Sequence, residues 1–211
     1  MKLYKQTTPF TCGPSCALII LNHFFGVKLS RENELETWKE VMAIPFKITL
    51  PLTLANFLIS KGLKVSLISQ RLKIKKEGCE ICFKYENVPE KQRDTFFDIF
   101  DQYYNVLQFS KFKNSGDWIK RTPILSKIKR ELIIALIDTF PLDLYLGKER
   151  RHIPDWIVIR KGQKLKVYSP WYKKVMNLPL EVLQEAVTKV EEVFHIPSSV
   201  LLVSPGDTLK S

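Results

Sequence analysis

A nearly unbroken apolar run close to the start of the chain, residues 14–25, limits the folds that this sequence can adopt. It reads PSCALIILNHFF, with Pro14 where the first turn of a helix tolerates proline and Gly26 where helices commonly end. The pattern predicts a buried helix around which the rest of the chain must pack. No apolar stretch reaches the ~20 residues that span a bilayer. Since the start of the chain also has no signal-peptide pattern, we expect a cytoplasmic protein without a membrane span.

Helix signals dominate the first half of the chain and strand signals the second. Ser30 is placed to cap a second helix, residues 51–60 form a third before Gly62, and Thr122-Pro123 is placed to open another. Aromatic residues at helical spacing predict a core-facing helix within residues 89–107, and residues 180–194 predict a last helix. Strands are expected at residues 64–69, 132–137, 156–159, 164–168 and 200–203, the third and fourth forming a hairpin. The whole chain, residues 1–211, is therefore predicted to be a single α+β domain.

The charge is strongly unbalanced, with 33 Lys and Arg against 22 Asp and Glu, a net charge of +11. Such an excess favours acidic partners, whether an acidic peptide, a nucleic acid or a membrane surface. A lysine-rich solvated surface explains it equally, and no nucleic-acid-binding motif is present. The excess is concentrated in residues 145–175, where Glu149 and Asp155 are the acids and nine positions are basic: 148, 150, 151, 160, 161, 164, 166, 173 and 174.

The four cysteines fall into two close pairs, Cys12 with Cys16 and Cys79 with Cys82. In a cytoplasmic protein they are expected to be free thiols. Cys79-Glu-Ile-Cys82 is a single Cys-x-x-Cys without the further ligands that a zinc site needs, so two buried side chains are the first interpretation and a redox pair the second. We expect no metal and no cofactor.

Cys12 lies just ahead of the predicted buried helix, where the helix dipole and free backbone N–H groups favour a thiolate. A thiolate is a nucleophile for acyl transfer, and Gly13 allows a ligand to approach the backbone closely. Gln6 lies upstream on a segment that Pro9 keeps extended, and its amide is placed to donate to an oxyanion. The spacing therefore suits a nucleophile with an oxyanion hole. A buried cysteine at a helix start, with Gln6 on the surface, fits the same spacing.

Gln6-x5-Cys12-Gly-Pro resembles the start of the papain-fold cysteine peptidases that process bacteriocin leaders, cysteine peptidase family thirty-nine, and in particular a standalone branch of that family. The resemblance continues through residues 34–40, 52–62 and 141–147 and covers most of residues 1–175. It implies a papain-like fold, with an N-terminal helical half packed on an antiparallel sheet from the C-terminal half. It also implies hydrolysis of amide bonds, with Cys12 as nucleophile and Gln6 as oxyanion donor.

The resemblance fails at two positions that matter for catalysis. Where that branch has Pro-His-Trp, this chain has Pro-Asp155-Trp, and where it has His-Asp-Pro, this chain has Tyr-Ser169-Pro. The general base and the group that orients it are therefore replaced by Asp155 and Ser169. A carboxylate of pKa about 4 is a poor acceptor for a thiol proton of pKa about 8.5, and loss of a general base typically costs ~10²–10⁴ in rate. We expect Gln6, Cys12, Asp155 and Ser169 to share one cleft, with a near-normal thiol pKa.

Another residue would have to replace the missing base. His23 lies about three turns along the helix, ~16 Å from Cys12, and His195 belongs to no motif. His152 is three residues from Asp155, within ~10 Å of extended chain. A further candidate is Asp138, which follows the predicted strand at residues 132–137 and could face the site. Two functions stay open: an amide hydrolase with a relocated base such as His152, or a catalytically degenerate relative that binds a peptide or another acidic partner in the same cleft. Nucleic-acid binding through the basic hairpin is a third, weaker possibility.

Overall fold

The computed structural model describes residues 1–129, 132–162 and 165–206. Most of its helices lie in the first 115 residues. The helices are α1 (Cys12–Phe25), α2 (Arg31–Val41), α3 (Pro51–Ser60), α4 (Glu80–Tyr85), α5 (Arg93–Phe100), α6 (Phe109–Ser115), α7 (Phe140–Tyr145) and α8 (Leu180–Phe194), and a π-helical segment, Asp101–Gln108, joins α5 to α6. No helix within these residues is both long and apolar enough to cross a membrane.

Seven strands form one sheet, so the fold is α+β. They are β1 (Leu63–Ser69), β2 (Asp117–Lys120), β3 (Leu132–Asp138), β4 (Pro154–Arg160), β5 (Lys166–Ser169), β6 (Lys174–Met176) and β7 (Val200–Pro205). Their order across the sheet is β2-β1-β7-β3-β4-β5-β6. The predicted hairpin is β4 with β5, where Val158 lies opposite Tyr168. Residues 163 and 164, which include the expected first residue of the fourth predicted strand and one of the nine basic positions, lie outside the described residues.

The buried helix expected near the start of the chain is α1, which begins two residues earlier than its apolar run, at Cys12. It ends where expected, because Gly26 adopts a left-handed conformation (φ 69°) and donates its N–H to Asn22 O. Residues 13–21 are buried along their whole length. Burial on every side fixes α1 in the core, and Cys12 is therefore held by a rigid element.

The sheet has a buried cluster on each face. Alternate residues of β3 and β4 enter different clusters, as the two-residue period of a strand requires. Leu136 and Trp156 pack in the cluster that contains α1, whereas Ile137 and Ile157 pack in the cluster that contains α8. The sheet is thus enclosed between the N-terminal helices and α8, and the ends of β3 and β4 reach the start of α1.

The sheet differs from the expected antiparallel sheet of the C-terminal half in two respects. β1 comes from the helical half and lies inside the sheet, between β2 and β7, and its pairing with β2 is parallel. A parallel neighbour needs a long crossover, and the chain supplies it with residues 70–116, which contain α4 to α6. Those helices include the aromatic stretch predicted to be helical, in which Phe100 and Tyr104 are fully buried and stacked.

The prediction that a helix opens at Thr122-Pro123 is wrong. In the described residues that follow, up to residue 129, the chain forms a short 3₁₀ turn at Leu125–Lys127 instead. Side chains satisfy the backbone there in place of helical hydrogen bonds. Leu125 N donates to Gln184 Oε1, and the Nζ of Lys161 donates to the carbonyls of Leu125 and Ile128 at 2.7 and 2.6 Å. Tertiary contacts therefore overrule the local start signal.

Candidate active site

Cys12 is the first residue of α1, and the residues around it are fitted closely to one another. Thr11, the residue ahead of the helix, does not cap it with its side chain. A Cβ on Gly13 would lie 2.6 Å from the side chain of Thr49, so any larger residue would collide with the loop before α3. The Cys-Gly-Pro sequence therefore reflects tight packing as well as helix initiation.

A single buried carboxylate, that of Glu34 on α2, ties the segment before Cys12 to the helices. Glu34 is fully buried and accepts hydrogen bonds from Tyr4 Oη (2.9 Å), Thr7 N (2.8 Å) and Thr7 Oγ1 (2.7 Å). It also accepts from the hydroxyls of Thr11 and, at 3.4 Å, Ser15. Because the donors are on both sides of Cys12, this carboxylate sets the path of the chain into α1. The sequence predicts the helix that carries Glu34 but gives no signal of this role.

Gln6 is buried, with 6% of its surface exposed, but its amide does not face an open oxyanion site. Its Nε2 donates to the carbonyl of Thr8 at 2.9 Å. Its Oε1 is buried without a hydrogen-bond partner among the described residues. In this conformation the amide stabilises the bend before Pro9, and it would have to leave Thr8 to reach an oxyanion.

Asp155, at the start of β4, lies beside Cys12, as expected from their places in the chain. The thiol of Cys12 interacts with the Asp155 carboxyl through hydrogen bonding and charge, and the backbone N–H of Trp156 donates to the same site. Burial, followed by the charge of Asp155, raises the pKa of the Cys12 thiol well above its ordinary value. The near-normal thiol pKa expected from sequence is therefore wrong, because burial and the charge of Asp155 both oppose the thiolate.

Burial also raises the pKa of Asp155 from its ordinary value near 3.8 to about 7, although hydrogen bonds to the thiol and to Trp156 N–H oppose the rise. The side chain is 2% exposed, and its Oδ2 has no hydrogen-bond partner within the described part of the chain. Asp155 is thus a better proton acceptor than a surface aspartate. The thiol beside it, however, has become a weaker acid in the same surroundings.

Cys16 is one helical turn beyond Cys12 and links α1 to β4. Its Sγ donates to the carbonyl of Trp156 at 3.2 Å. Burial, followed by the charges of Asp155 and Cys12, raises its pKa well above the ordinary thiol value. Both thiols at the start of α1 are therefore held in the protonated form at neutral pH.

Ser169 is fully buried at the end of β5, and its Oγ accepts the backbone N–H of Tyr172 at 3.1 Å. Extending the β4–β5 register places Ser169 opposite residue 157, on the face that carries Asp155. Diagonal neighbours of this kind are about 7–8 Å apart. Within the described residues no hydrogen bond joins Ser169 to Asp155, so Ser169 shares the face of Asp155 without orienting it.

His152 forms a separate pair with Asp138. Its Nδ1 lies 2.6 Å from Asp138 Oδ2, and its ring stacks on Phe140 with centroids 4.4 Å apart and planes 6° from parallel. Asp138 is fully buried at the end of β3 and also accepts the N–H of Phe140 at 3.2 Å. No hydrogen bond or ion pair between His152 and Cys12 occurs in residues 1–129, 132–162 and 165–206. Sequence analysis named both residues of this pair, but only the register of Asp138 opposite Pro154 brings them together.

A cavity of about 200 Å³ adjoins Cys12. Its walls are mainly apolar. They come from the segment before α1, from the loop before α3, from helix α4 and from strands β3 and β4. Tyr85, 59% exposed, lies at its rim with Lys47 and Glu86, whose side chains are paired at 3.2 Å. Cys82 also lines it, and Cys79 and Cys82 are both free and buried, with pKa values raised by burial. The second Cys-x-x-Cys residue thus contributes to the wall beside Cys12.

A second, shallower groove of about 360 Å³ lies on the other side of the same segment. Gln6, Thr8, Trp171 and Lys173 line it, and Pro9 borders both this groove and the cavity beside Cys12. The two recesses are therefore neighbours, separated by the bend at Pro9.

The nine basic positions of residues 145–175 do not form one uniform basic surface. The Lys161 amine is turned inward onto backbone carbonyls, and burial lowers its pKa. Arg151 pairs with Glu149, and Lys148 lies over the ring of Tyr172. The total charge of the hairpin therefore does not indicate where an acidic partner would bind. Lys173, which is exposed at the groove beside Gln6, is a more specific candidate contact.

A sequence profile described as "Peptidase_C39 like family" matches residues 1–182. No curated protein matches the chain. Because the match covers more than half of its length, the chain belongs to this family and is a cysteine peptidase-like protein.

Proposed function

We propose that this member of the Peptidase_C39 like family is a papain-like protein that has lost hydrolysis and uses the cleft beside Cys12 to bind a peptide without cleaving it. The observation that carries the proposal is the partner of the Cys12 thiol. That partner is a buried carboxyl, Asp155, which cannot stabilise the thiolate as the imidazolium of a Cys–His pair does.

The chemistry of the pair opposes nucleophilic attack. The thiolate is the reactive form of cysteine, and a neighbouring carboxylate penalises it while an imidazolium would favour it. The pKa of the Cys12 thiol is raised, and Gln6, the oxyanion donor by resemblance, donates to Thr8 O. A peptide held here would meet neither a thiolate nor a free amide donor.

A second candidate is a hydrolase with His152 as a relocated base, and one observation favours it. The buried carboxylate of Asp138 holds Nδ1 of His152, which leaves Nε2 as the other ring nitrogen for proton transfer. A base must reach the proton that it removes, and the described residues show no contact between His152 and Cys12. The binding function is therefore preferred.

The pH dependence of Cys12 alkylation by iodoacetamide tests the proposal. The other three cysteines are buried, so peptide mapping by mass spectrometry follows the labelling of Cys12 and a Cys12→Ala variant gives the background. We expect the rate to keep rising beyond pH 9 without an earlier plateau, because the thiol pKa is raised. Asp155→Asn should increase the rate at pH 8 severalfold, because it removes a charge that raises the thiol pKa.

A labelling midpoint below about pH 6 would instead show that a cation activates the thiol. Peptide cleavage that disappears in Cys12→Ala would overturn the proposal directly. Incubation with unstructured peptides of mixed sequence supplies that second measurement without knowledge of the natural partner.

A further inference from the structure

We propose that the cleft recognises a peptide by two adjoining features, a large apolar side chain in the cavity beside Cys12 and an acidic side chain at the groove lined by Lys173. The inference rests on the proposed function, and it adds the chemical class of the ligand.

The cavity selects by size and polarity. An apolar cavity of about 150 Å³ is large enough to bind benzene. The cavity beside Cys12 measures about 200 Å³, and its walls include Ile48, Ile81, Ile153 and Trp156. It therefore fits one aromatic ring or one branched aliphatic side chain, whereas glycine would leave it empty.

One polar group in the cavity wall lacks a partner. Thr49 is 6% exposed, and its Oγ1 has no hydrogen-bond partner within the described ranges, while its backbone carbonyl accepts Trp156 Nε1 at 3.0 Å. Buried polar groups are normally paired, and an exception in a cleft indicates a group that a ligand can satisfy. The Oγ1 is enclosed beside Gly13, so a peptide amide would supply the missing partner after rotation of the Thr49 side chain, whereas a simple hydrocarbon would not supply it at all.

The groove adds charge complementarity. Lys173 is exposed beside Trp171, and residues 1–129, 132–162 and 165–206 contain no ion pair to it. Lys47 at the opposite rim already pairs with Glu86. Because Pro9 borders both recesses, a residue adjacent to the apolar one is the position from which an acidic side chain would approach Lys173. The ligand class is therefore a peptide with adjacent apolar and acidic residues.

Small capped dipeptides test the proposal on the full chain. The probes are N-acetyl-Asp-Phe-amide and N-acetyl-Phe-Asp-amide, which cover both chain directions, with Gly in place of Phe and Asn in place of Asp as controls. Binding is followed by methyl NMR of Ile48, Ile81 and Ile153. At least one Asp–Phe order should bind ~10-fold or more tightly than its Gly control, since a single methylene in an apolar pocket already changes selection by about 10-fold.

Two matched pairs of variants separate the features. Ile81→Trp fills the cavity and should abolish the preference for Phe, whereas Ile99→Trp, at an exposed position of α5, should not. If Ile81→Trp fails to fold, Ile48→Phe makes the same comparison at a partly exposed wall residue.

Lys173→Gln should weaken binding of the Asp peptides about 3-fold and leave binding of the Asn peptides unchanged, as expected for an exposed ion pair. Lys174→Gln, one residue along, should change neither.

The outcomes distinguish this inference from the function on which it rests. Equal binding of the Phe and Gly peptides, or equal effects of the two members of a variant pair, overturns the inference. Tighter binding of decanoate than of every dipeptide would make the cavity an acyl-chain site and overturn it as well. Cleavage of a bound dipeptide would overturn only the non-hydrolytic function, because the recognition would remain.

Discussion

Two buried carboxylates lie at the ends of neighbouring strands, and one has an imidazole as its partner whereas the other has a thiol. Asp138, which ends β3, is buried and pairs with the imidazole of His152. Asp155, which begins β4, is buried and pairs with the thiol of Cys12, and one of its oxygens has no partner in the described structure. A cysteine peptidase needs thiol, imidazole and carboxylate in one chain of contacts. Here all three kinds of group are present, but they are divided between two sites.

The different partners of the two carboxylates give them different electrostatic surroundings. A carboxylate beside an imidazole has a group that can become a cation when protonated. A carboxylate beside a thiol has none, so burial dominates and raises the pKa of Asp155 to about 7. Replacing one imidazole by Asp155 therefore changes two groups at once, because the acid becomes harder to ionise and so does the thiol beside it.

The largest expected effect is on stability as a function of pH. Asp155 has a raised folded-state pKa, so its protonated form favours the folded state, fully so below about pH 4, and this stabilisation is lost as the pH rises to about 7. A rise from 3.8 to about 7 corresponds to a change on the order of 4 kcal/mol. The free energy of unfolding from urea titrations at pH 4 to 8 should fall more steeply in wild type than in Asp155→Asn.

Asp138→Asn is the control for that measurement, since it changes a buried carboxylate that already has an imidazole partner. Parallel pH profiles for wild type and Asp155→Asn would mean that Asp155 is ionised normally. The contrast between the two carboxylates would then be wrong.

A smaller effect is expected from rebuilding the missing pair at the thiol. Asp155→His with Ser169→Asp places an imidazole beside Cys12 and a carboxylate on the same face of the sheet. Cys12 in the double variant should react with iodoacetamide at pH 7 at least ~10-fold faster than in wild type, whereas Ser169→Asp alone should give no increase. The gain should be non-additive, because an imidazole without its carboxylate can adopt the wrong tautomer. If the rate changes of the two single variants simply add in the double variant, residue 169 is too far from residue 155 to orient it.

Much of the fold was predictable because its signals are local. The apolar run and Gly26 define α1, and two strand-like runs on either side of Gly162 predict the β4–β5 hairpin. The parallel pairing of β1 with β2 was not predictable, since β2 has four residues and is positioned by contacts distant in sequence. The failed helix at Thr122-Pro123 has the same cause, because side chains from β4's end and α8 satisfy that backbone.

The sequence predicted that Cys12 and Asp155 lie close together, but it did not predict the hydrogen-bond partners of the other residues named for the site. Motif spacing brought Cys12 and Asp155 together, and the structure places them in contact. It could not show that Gln6 donates to its own loop, nor that the buried Glu34 collects hydrogen bonds from both sides of Cys12. Burial is a property of the assembled core, so the sequence could not show that burial raises the pKa of Asp155 to about 7.

The smallest expected effect comes from removing His152. If the two sites are separate, His152→Ala should change the rate of Cys12 alkylation at pH 7 by less than about 2-fold. Within the described residues no hydrogen bond or ion pair joins the imidazole to the thiol, and its Nδ1 is held by Asp138. Cys12→Ala provides the background, and the rate should stay equally unchanged in Phe140→Leu, which removes only the ring that stacks on His152. A loss of 10-fold or more in His152→Ala would show that the imidazole reaches the sulfur in solution. The sites would then act as one relocated Cys12–His152–Asp138 array, and the protein would be a hydrolase with its base supplied from the end of the neighbouring strand.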